Sequence, residues 1–283
     1  TNTEKIRIQK PTVRANGRWT QLELMEREKQ EAEIANLRLQ AIASLPRLGV
    51  FSDEAHHTYG QAMEADLKKV RKTVNYLHEQ TPLVCVVNTT GTPYYQRQPL
   101  KDVVVWYGLS QGINDNILKR VSGSIYAYDF DNQHTEDFVA EVVRDFLNTY
   151  GDVRLPNGAP ARLAMYFPQN DDLTALRPTV ERTLAQLGQP PTVVLRNTSE
   201  SPKAEVDALN RLNDPASPYR VMLLVNKGTE GWNCPSLFAC ALARRLRTSN
   251  NFVLQASTRC LRQVPGNPYQ PRIYLSMDNR GIL

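Results

Sequence analysis

Apolar positions along this chain follow two rhythms. Short unbroken runs at Leu48–Ser52, Leu83–Val87, Arg162–Phe167, Thr192–Arg196, Tyr219–Val225, 236–242 and Arg272–Ser276 read as buried strands. Between them lie stretches with helical spacing. Residues 20–45 place Leu22, Met25, Ile34, Leu37, Ala41 and Leu45 near one face, no Gly or Pro interrupts them, and Pro46 follows. That pattern predicts a long amphipathic helix. Further helices are predicted over 61–80, 135–150, 171–187, 202–213 and 250–263, the last capped by Ser249 or Asn250. Unbroken apolar strands alternating with helices predict an α/β fold, with parallel strands covered on both faces. In such sheets ligands gather at the carboxyl ends of the strands.

The alternation pauses once. Gly123, Gly151, Pro156, Gly158 and Pro160 punctuate residues 119–160, which reads as a connection between a first domain, 1–118, and a second, 161–283. The length of 283 residues is enough for about two domains. Hydrophobic residues make up 41% and charged residues 22%, the balance of a soluble globular protein. No apolar run is long enough to span a membrane, and the first residues, Thr1-Asn2-Thr3-Glu4-Lys5, do not read as a signal peptide. The net charge of +5 permits nucleic-acid binding without requiring it. The cysteines, Cys85, Cys234, Cys240 and Cys260, form no Cys-x-x-Cys pair and read as buried reduced thiols, which fits a cytoplasmic location and not a zinc site.

Candidate chemistry sits at the ends of these elements. The first strand runs into Asp53-Glu54-Ala55-His56. Adjacent carboxylates at a strand end can hold Mg²⁺ with one group and orient or deprotonate an attacking water with the other. Thr90-Gly91-Thr92-Pro93 follows the second strand, so both segments belong to one rim. The loop at 226–235 carries Glu230-Gly231-Trp232-Asn233-Cys234-Pro235. Singly, each of these loops is also an ordinary turn. In the helix over 250–263, Gln255, Arg259 and Arg262 are spaced by four and three, and so share a face. Two guanidinium groups and an amide there can grip a polyphosphate, although a solvated face has the same pattern. Arg244, Arg245 and Arg247, and Lys68, Lys69, Arg71 and Lys72, are candidates for phosphate-backbone contact or solvated surface. Trp106 and Trp232 read as core or interface fillers, Tyr94 and Tyr95 as packing at a sheet edge, and His78 and His134 as surface residues.

The order of the pieces is more specific than any one of them. Asp-Glu-Ala-His, then Thr-Gly-Thr-Pro, then Glu-Gly-Trp-Asn-Cys-Pro, then Gln-x-x-x-Arg-x-x-Arg resembles the superfamily 2 helicases and translocases over nearly the whole chain. Asp-Glu-Ala-His-His at 53–57, with the second and third motifs, looks closest to the motor subunit of type III restriction enzymes. The resemblance implies two RecA-like parallel-sheet domains, the first incomplete, with ATP in a cleft between them. It implies that Asp53 helps hold Mg²⁺, that Glu54 handles the attacking water, and that His56 links the metal site toward the second domain. Thr90 and Thr92 would couple nucleotide state to the grip on DNA. Glu230, Gly231 and Asn233 would sense nucleotide, Gln255 would lie at the cleft, and Arg259 and Arg262 would reach the γ-phosphate. The implied partners are double-stranded DNA and a DNA methyltransferase or specificity subunit.

Two positions depart from the family pattern. Asn233 stands where Asp is usual, and Thr258 stands where Gly usually precedes the first arginine. The phosphate-binding Gly-x-x-x-x-Gly-Lys-Ser/Thr loop is not in this sequence, which contains no Gly-Lys dipeptide. The expectation is therefore a piece of a motor, comprising the C-terminal half of the first domain and the second domain, with no nuclease domain and negligible ATPase by itself. The alternatives are a non-catalytic nucleic-acid-binding scaffold, or a repair or viral-type helicase unrelated to restriction.

Overall fold

The structure is a computed structural model that describes residues 36–55, 69–91, 94–95, 98–99, 103–121, 123–129, 134–226, 232–243 and 250–281. The chain divides into two compact units, 1–100 and 101–283.

In the first unit, α1 (Leu37–Ala43) precedes β1 (Leu48–Ser52), and α2 (Lys69–Gln80) precedes β2 (Leu83–Asn88). The two strands pair in parallel, ending with Ser52 opposite Asn88. Leu39, Ala43 and Leu77 from the helices pack with Leu48, Val50 and Leu83 from the strands. The expectation of strands covered on both faces is corrected here. Phe51 and Val84 are 77% and 69% exposed, and β2 is exposed at every residue after Leu83: among the described residues this sheet has two strands, and the helices reach only Leu48, Val50 and Leu83. Cys85, read as buried, is exposed for the same reason. Tyr94–Tyr95 (β3) and Gln98–Pro99 (β4) form a short antiparallel pair. Most of the long helix expected over 20–45 falls outside the described residues, as do 61–68 of the second expected helix.

The second unit is built on β5 (Ile125–Tyr128), β6 (Arg162–Tyr166), β7 (Val194–Asn197), β8 (Val221–Leu224), β9 (Leu237–Leu242) and β10 (Arg272–Ser276). All are parallel, in the order β5-β10-β9-β6-β8-β7. Strands β6, β8 and β9 are buried at every residue, as their unbroken apolar runs require. Alternate side chains enter two separate cores. Leu163, Met165, Leu223 and Ala241 pack with α4 (Thr135–Tyr150) and α5 (Asn170–Gln186). Ala164, Tyr166, Leu224 and Cys240 pack with α6 (Lys203–Asn210) and α7 (Asn250–Ser257). Helices α3 (Leu109–Asn114) and α8 (Met277–Arg280) are short.

The stretch 119–160, expected as a connection, differs. It supplies β5 and α4 to the second unit's sheet. Tyr128 and Phe138 meet edge to face, and Asp145 on α4 accepts from the Arg272 guanidinium and from the Tyr274 hydroxyl at 2.5 Å on β10. Its glycines and prolines mark turns around these elements and do not mark a linker. Trp106, read as a filler, is 54% exposed, whereas Trp232 is buried.

Buried cations fasten the amino edge of the sheet. The Arg162 guanidinium donates to the carbonyls of Tyr219 at 3.0 Å and Pro160 at 3.2 Å and to the Ser236 hydroxyl. Arg220 donates to the carbonyls of Ala161 at 3.0 Å and Tyr150 at 3.1 Å, and burial pulls its pKa down to about 10. Three of these carbonyls precede strands and that of Tyr150 ends α4, all beyond regular backbone pairing, so side chains satisfy them.

Thiol labelling checks this burial. Iodoacetamide should modify Cys85 in the folded chain and leave Cys234, Cys240 and Cys260 unmodified until denaturant is added. Equal labelling of all four in native buffer would contradict the fold.

Candidate nucleotide-contacting residues

In the first unit, the parallel register places the candidate carboxylates. Because Ser52 lies opposite Asn88, the next residues, Asp53 and Thr89, leave the sheet side by side. The ladder runs on past both strands: Thr89 N donates to Ser52 O, and Ala55 N to Thr89 O, each at 2.9 Å. The Thr89 hydroxyl donates to Asp53 Oδ1 at 3.0 Å, and the Glu54 amide donates to the same oxygen at 2.9 Å. Asp53 is thus an exposed carboxylate fixed at the carboxyl edge of β1. Glu54, half-buried, has φ of +51°. That left-handed backbone is costly for a non-glycine residue. It breaks the strand alternation that would send adjacent carboxylates to opposite faces. Thr90 is half-buried on the same rim. His56 and Thr92 lie outside the described residues.

Among the described residues, no group of three or more His, Cys, Asp or Glu side chains gathers to hold a metal. Mg²⁺ asks for less: it keeps several waters and takes one or two carboxylates together with substrate phosphates. Asp53 and Glu54 fit that demand. Sequence reasoning missed Thr89. The signal was available in the register, since Thr89 follows β2 as Asp53 follows β1.

In the second unit, α7 does not run through to the arginines as expected. It ends at Ser257, a 3-10 turn covers Thr258–Leu261, and Arg262 is extended at φ −58° and ψ 123°. The cause is local. The Ser257 and Thr258 hydroxyls donate back to the carbonyls of Val253 and Leu254, each at 2.5 Å, which competes with regular helix bonding. The chain then pairs with a distant strip. Leu118 and Arg262 form an antiparallel bridge, and Gln263 N donates to Ile117 O at 3.0 Å. The shared helix face expected for Gln255, Arg259 and Arg262 is corrected accordingly: Gln255 lies half-buried on α7, and the arginines lie beyond it.

The arginines nevertheless meet the same loop. Arg259 Nη1 donates to Trp232 O at 2.7 Å, and Arg262 Nη1 donates to Asn233 Oδ1. Asn233 is held in turn, its carbonyl accepting from Asn213 Nδ2 at 2.8 Å. Burial, then the nearby Arg259 charge, pulls the Arg262 pKa below the usual arginine value. The exposed Arg262 is thus oriented by a neutral carboxamide. An oriented guanidinium of this kind can take an anion. The pair sits beside the amino ends of β9 and β10. Glu230, Gly231, Arg244, Arg245 and Arg247 lie outside the described residues.

Sequence reasoning also missed Lys119, which is 1% exposed behind the arginine turn. Its ammonium, pulled down to about 8 by burial, donates to three carbonyls. A lone lysine in a punctuated stretch has no pattern that announces this.

No protein-family model matches the chain, and no curated protein matches it. Solved structures do. A fragment assigned as the HsdR subunit of a type I restriction enzyme from Vibrio vulnificus YJ016 matches with a TM-score of 0.54 and 18% identity, over 74% of this chain and 42% of that one. The ATP-dependent Type ISP restriction-modification enzyme LlaBIII bound to DNA matches with a TM-score of 0.52 and 18% identity, over 91% of this chain and 21% of that one. The Mycobacterium smegmatis helicase Lhr bound to ssDNA and AMP-PNP matches with a TM-score of 0.50 and 12% identity, over 87% of this chain and 30% of that one. The chain therefore spans less than half the length of each of these neighbours. At these identities the likeness establishes the fold, an α/β arrangement shared with helicase and restriction-enzyme domains. No described helix is long and apolar enough to cross a membrane.

The Asn233–Arg262 contact is directly testable. Asn233→Asp should turn it into an ion pair, raising the unfolding free energy by about 0.5 kcal/mol at low salt, as exposed pairs do. The gain should shrink in about 1 M salt, where charges are screened. Urea unfolding at both salt concentrations checks it, and no gain at low salt would contradict the contact.

Proposed function

We propose that this chain is part of an ATP-driven DNA translocase or helicase motor of superfamily 2, belonging to a restriction system of type III. One observation carries the reading. The chain holds two prepared sets of charged groups: a carboxylate pair at a strand end, fixed by Thr89, and two arginines oriented by the 232–233 loop. A phosphoryl-transfer motor needs both. The fold likeness to HsdR, LlaBIII and Lhr, and the order of the four sequence motifs, support the same reading.

In this account Asp53 holds Mg²⁺, with Glu54 beside it, and both belong to the nucleotide site. Asp53 and Glu54 would hold the ion, which when bound would supply neutralisation of phosphate charge. Thr89 fixes the Asp53 carboxylate before nucleotide arrives. Glu54 accepts the proton of the attacking water or orients it, and its left-handed backbone sets it apart from the strand alternation. Arg262 and Arg259 stabilise charge on the transferred phosphoryl group. His56, Thr90, Thr92, Glu230, Gly231, Asn233 and Gln255 take the coupling and sensing roles implied by the motif resemblance, and Arg244, Arg245 and Arg247 take phosphate-backbone contacts on DNA. A methyltransferase or specificity subunit is the partner that restriction chemistry requires. The location is the cytoplasm.

ATP turnover of the complete motor, measured with and without duplex DNA, tests this. Glu54→Gln should leave ATP binding within about threefold and remove turnover. Arg262→Ala should lower kcat by roughly 10³-fold, the lower end for arginine fingers. The 283-residue chain alone, which lacks a phosphate-binding Gly-Lys loop, should show no DNA-stimulated ATPase. Unchanged kcat in both variants would refute the motor reading and favour a non-catalytic scaffold.

A further inference from the structure

The Lys119 ammonium has an unusual setting for a cation that is 1% exposed. Its partners are the carbonyls of Arg262 at 2.5 Å, Cys260 at 2.9 Å and Leu237 at 3.4 Å, with the Phe238 ring centroid 4.4 Å away. None of these partners is a carboxylate. Two of the three carbonyls belong to the segment that carries the arginines, and the third begins β9. The backbone works alongside: Lys119 N donates to Leu261 O at 2.5 Å, next to the Leu118–Arg262 bridge.

The arginine segment needs such an anchor. The 3-10 turn at 258–261 ends there, so its last carbonyls have no further helical turn to satisfy them. A cation at that end also suits the helix dipole. Arg262 leaves the turn extended, so the 260–262 backbone sets where its guanidinium points. Arg259 and Arg262 repel each other, and without an anchor the backbone could relax to separate them.

We infer that Lys119 is a positioning residue for Arg262, fixing the 260–262 backbone so that this guanidinium is presented beside that of Arg259. The inference rests on the proposed ATPase role of the arginines. Lys119 is buried behind the arginine turn and has no open path to a ligand. Its effect passes through Arg262, and it should therefore vanish when Arg262 is gone.

A double-mutant cycle on kcat in the complete motor tests it. Lys119→Met keeps shape and removes the donors. It should lower kcat at least tenfold while KM for ATP stays within threefold. Added to Arg262→Ala, it should cause no further loss beyond threefold, because coupled residues are non-additive. Lys119→Gln, which keeps N–H donors, should recover part of the loss. If Arg262→Ala leaves kcat unchanged, the motor reading itself fails. If Arg262→Ala lowers kcat but Lys119→Met does not, or if the losses simply multiply, the positioning role is wrong. Failure of both Lys119 variants to fold also counts against it, since a residue that only positions this turn is dispensable for the six-stranded sheet.

Discussion

The backbone pairing between 117–119 and 261–263 is the constraint on which the placement of the second unit's arginines depends. Helix α7 cannot deliver Arg259 and Arg262 by itself, because it stops at Ser257. Beyond Ser257 the chain makes a 3-10 turn, with Cys260 and Leu261 buried, and then an extended residue, so no regular helix carries it further. The Leu118–Arg262 bridge and the Lys119 contacts replace the helix as the frame. From that frame the two arginines reach the loop before β9, where a carbonyl and a carboxamide orient them. The carboxamide that orients Arg262 carries no charge. An acidic acceptor would orient Arg262 as well, but it would also neutralise it. Orientation without neutralisation suits a group whose proposed target is a polyphosphate.

The first unit solves a related problem by different means. Asp53 and Thr89 are brought together by strand register alone, because parallel strands that end level place their next residues side by side. The hydroxyl then locks the carboxylate. Glu54 accepts a left-handed backbone at the same corner, a strain that the bonds of its two neighbours hold in place: Asp53 to Thr89, and Ala55 to the Thr89 carbonyl. Both sets of groups are thus fixed by backbone geometry that precedes any ligand.

Much of this was legible in the sequence, and the gaps have physical causes. The strands of the second unit were readable because their apolar runs are unbroken, as in Leu237–Leu242, where all six residues are buried. Residues 125–128 were harder. Ile125–Tyr128 is a short edge strand beside Gly123, half-buried throughout, and turn residues dominate its neighbourhood. Apolar runs also misled at Phe51 and Val84, because composition does not say how many layers cover a strand. The acidic pair and the arginine segment were singled out as candidates by residue type. The bend at Ser257 was not, since side-chain hydroxyls bonding back to the helix leave the apolar spacing unchanged. Thr89 and Lys119 act through register and burial, which belong to the fold and have no motif. His56, Thr92, Glu230, Gly231, Arg244, Arg245 and Arg247 lie outside the described residues and keep the status of expectations.

The central claim is that Arg262 meets a phosphoryl group in transfer. Affinity of the complete motor for ADP with aluminium fluoride, compared with its affinity for ADP alone, measures this most directly, because the fluoride complex mimics that group. The account predicts that Arg262→Ala weakens the fluoride complex by about 100-fold or more while ADP affinity changes little. Equal weakening of both, or none of either, would contradict it.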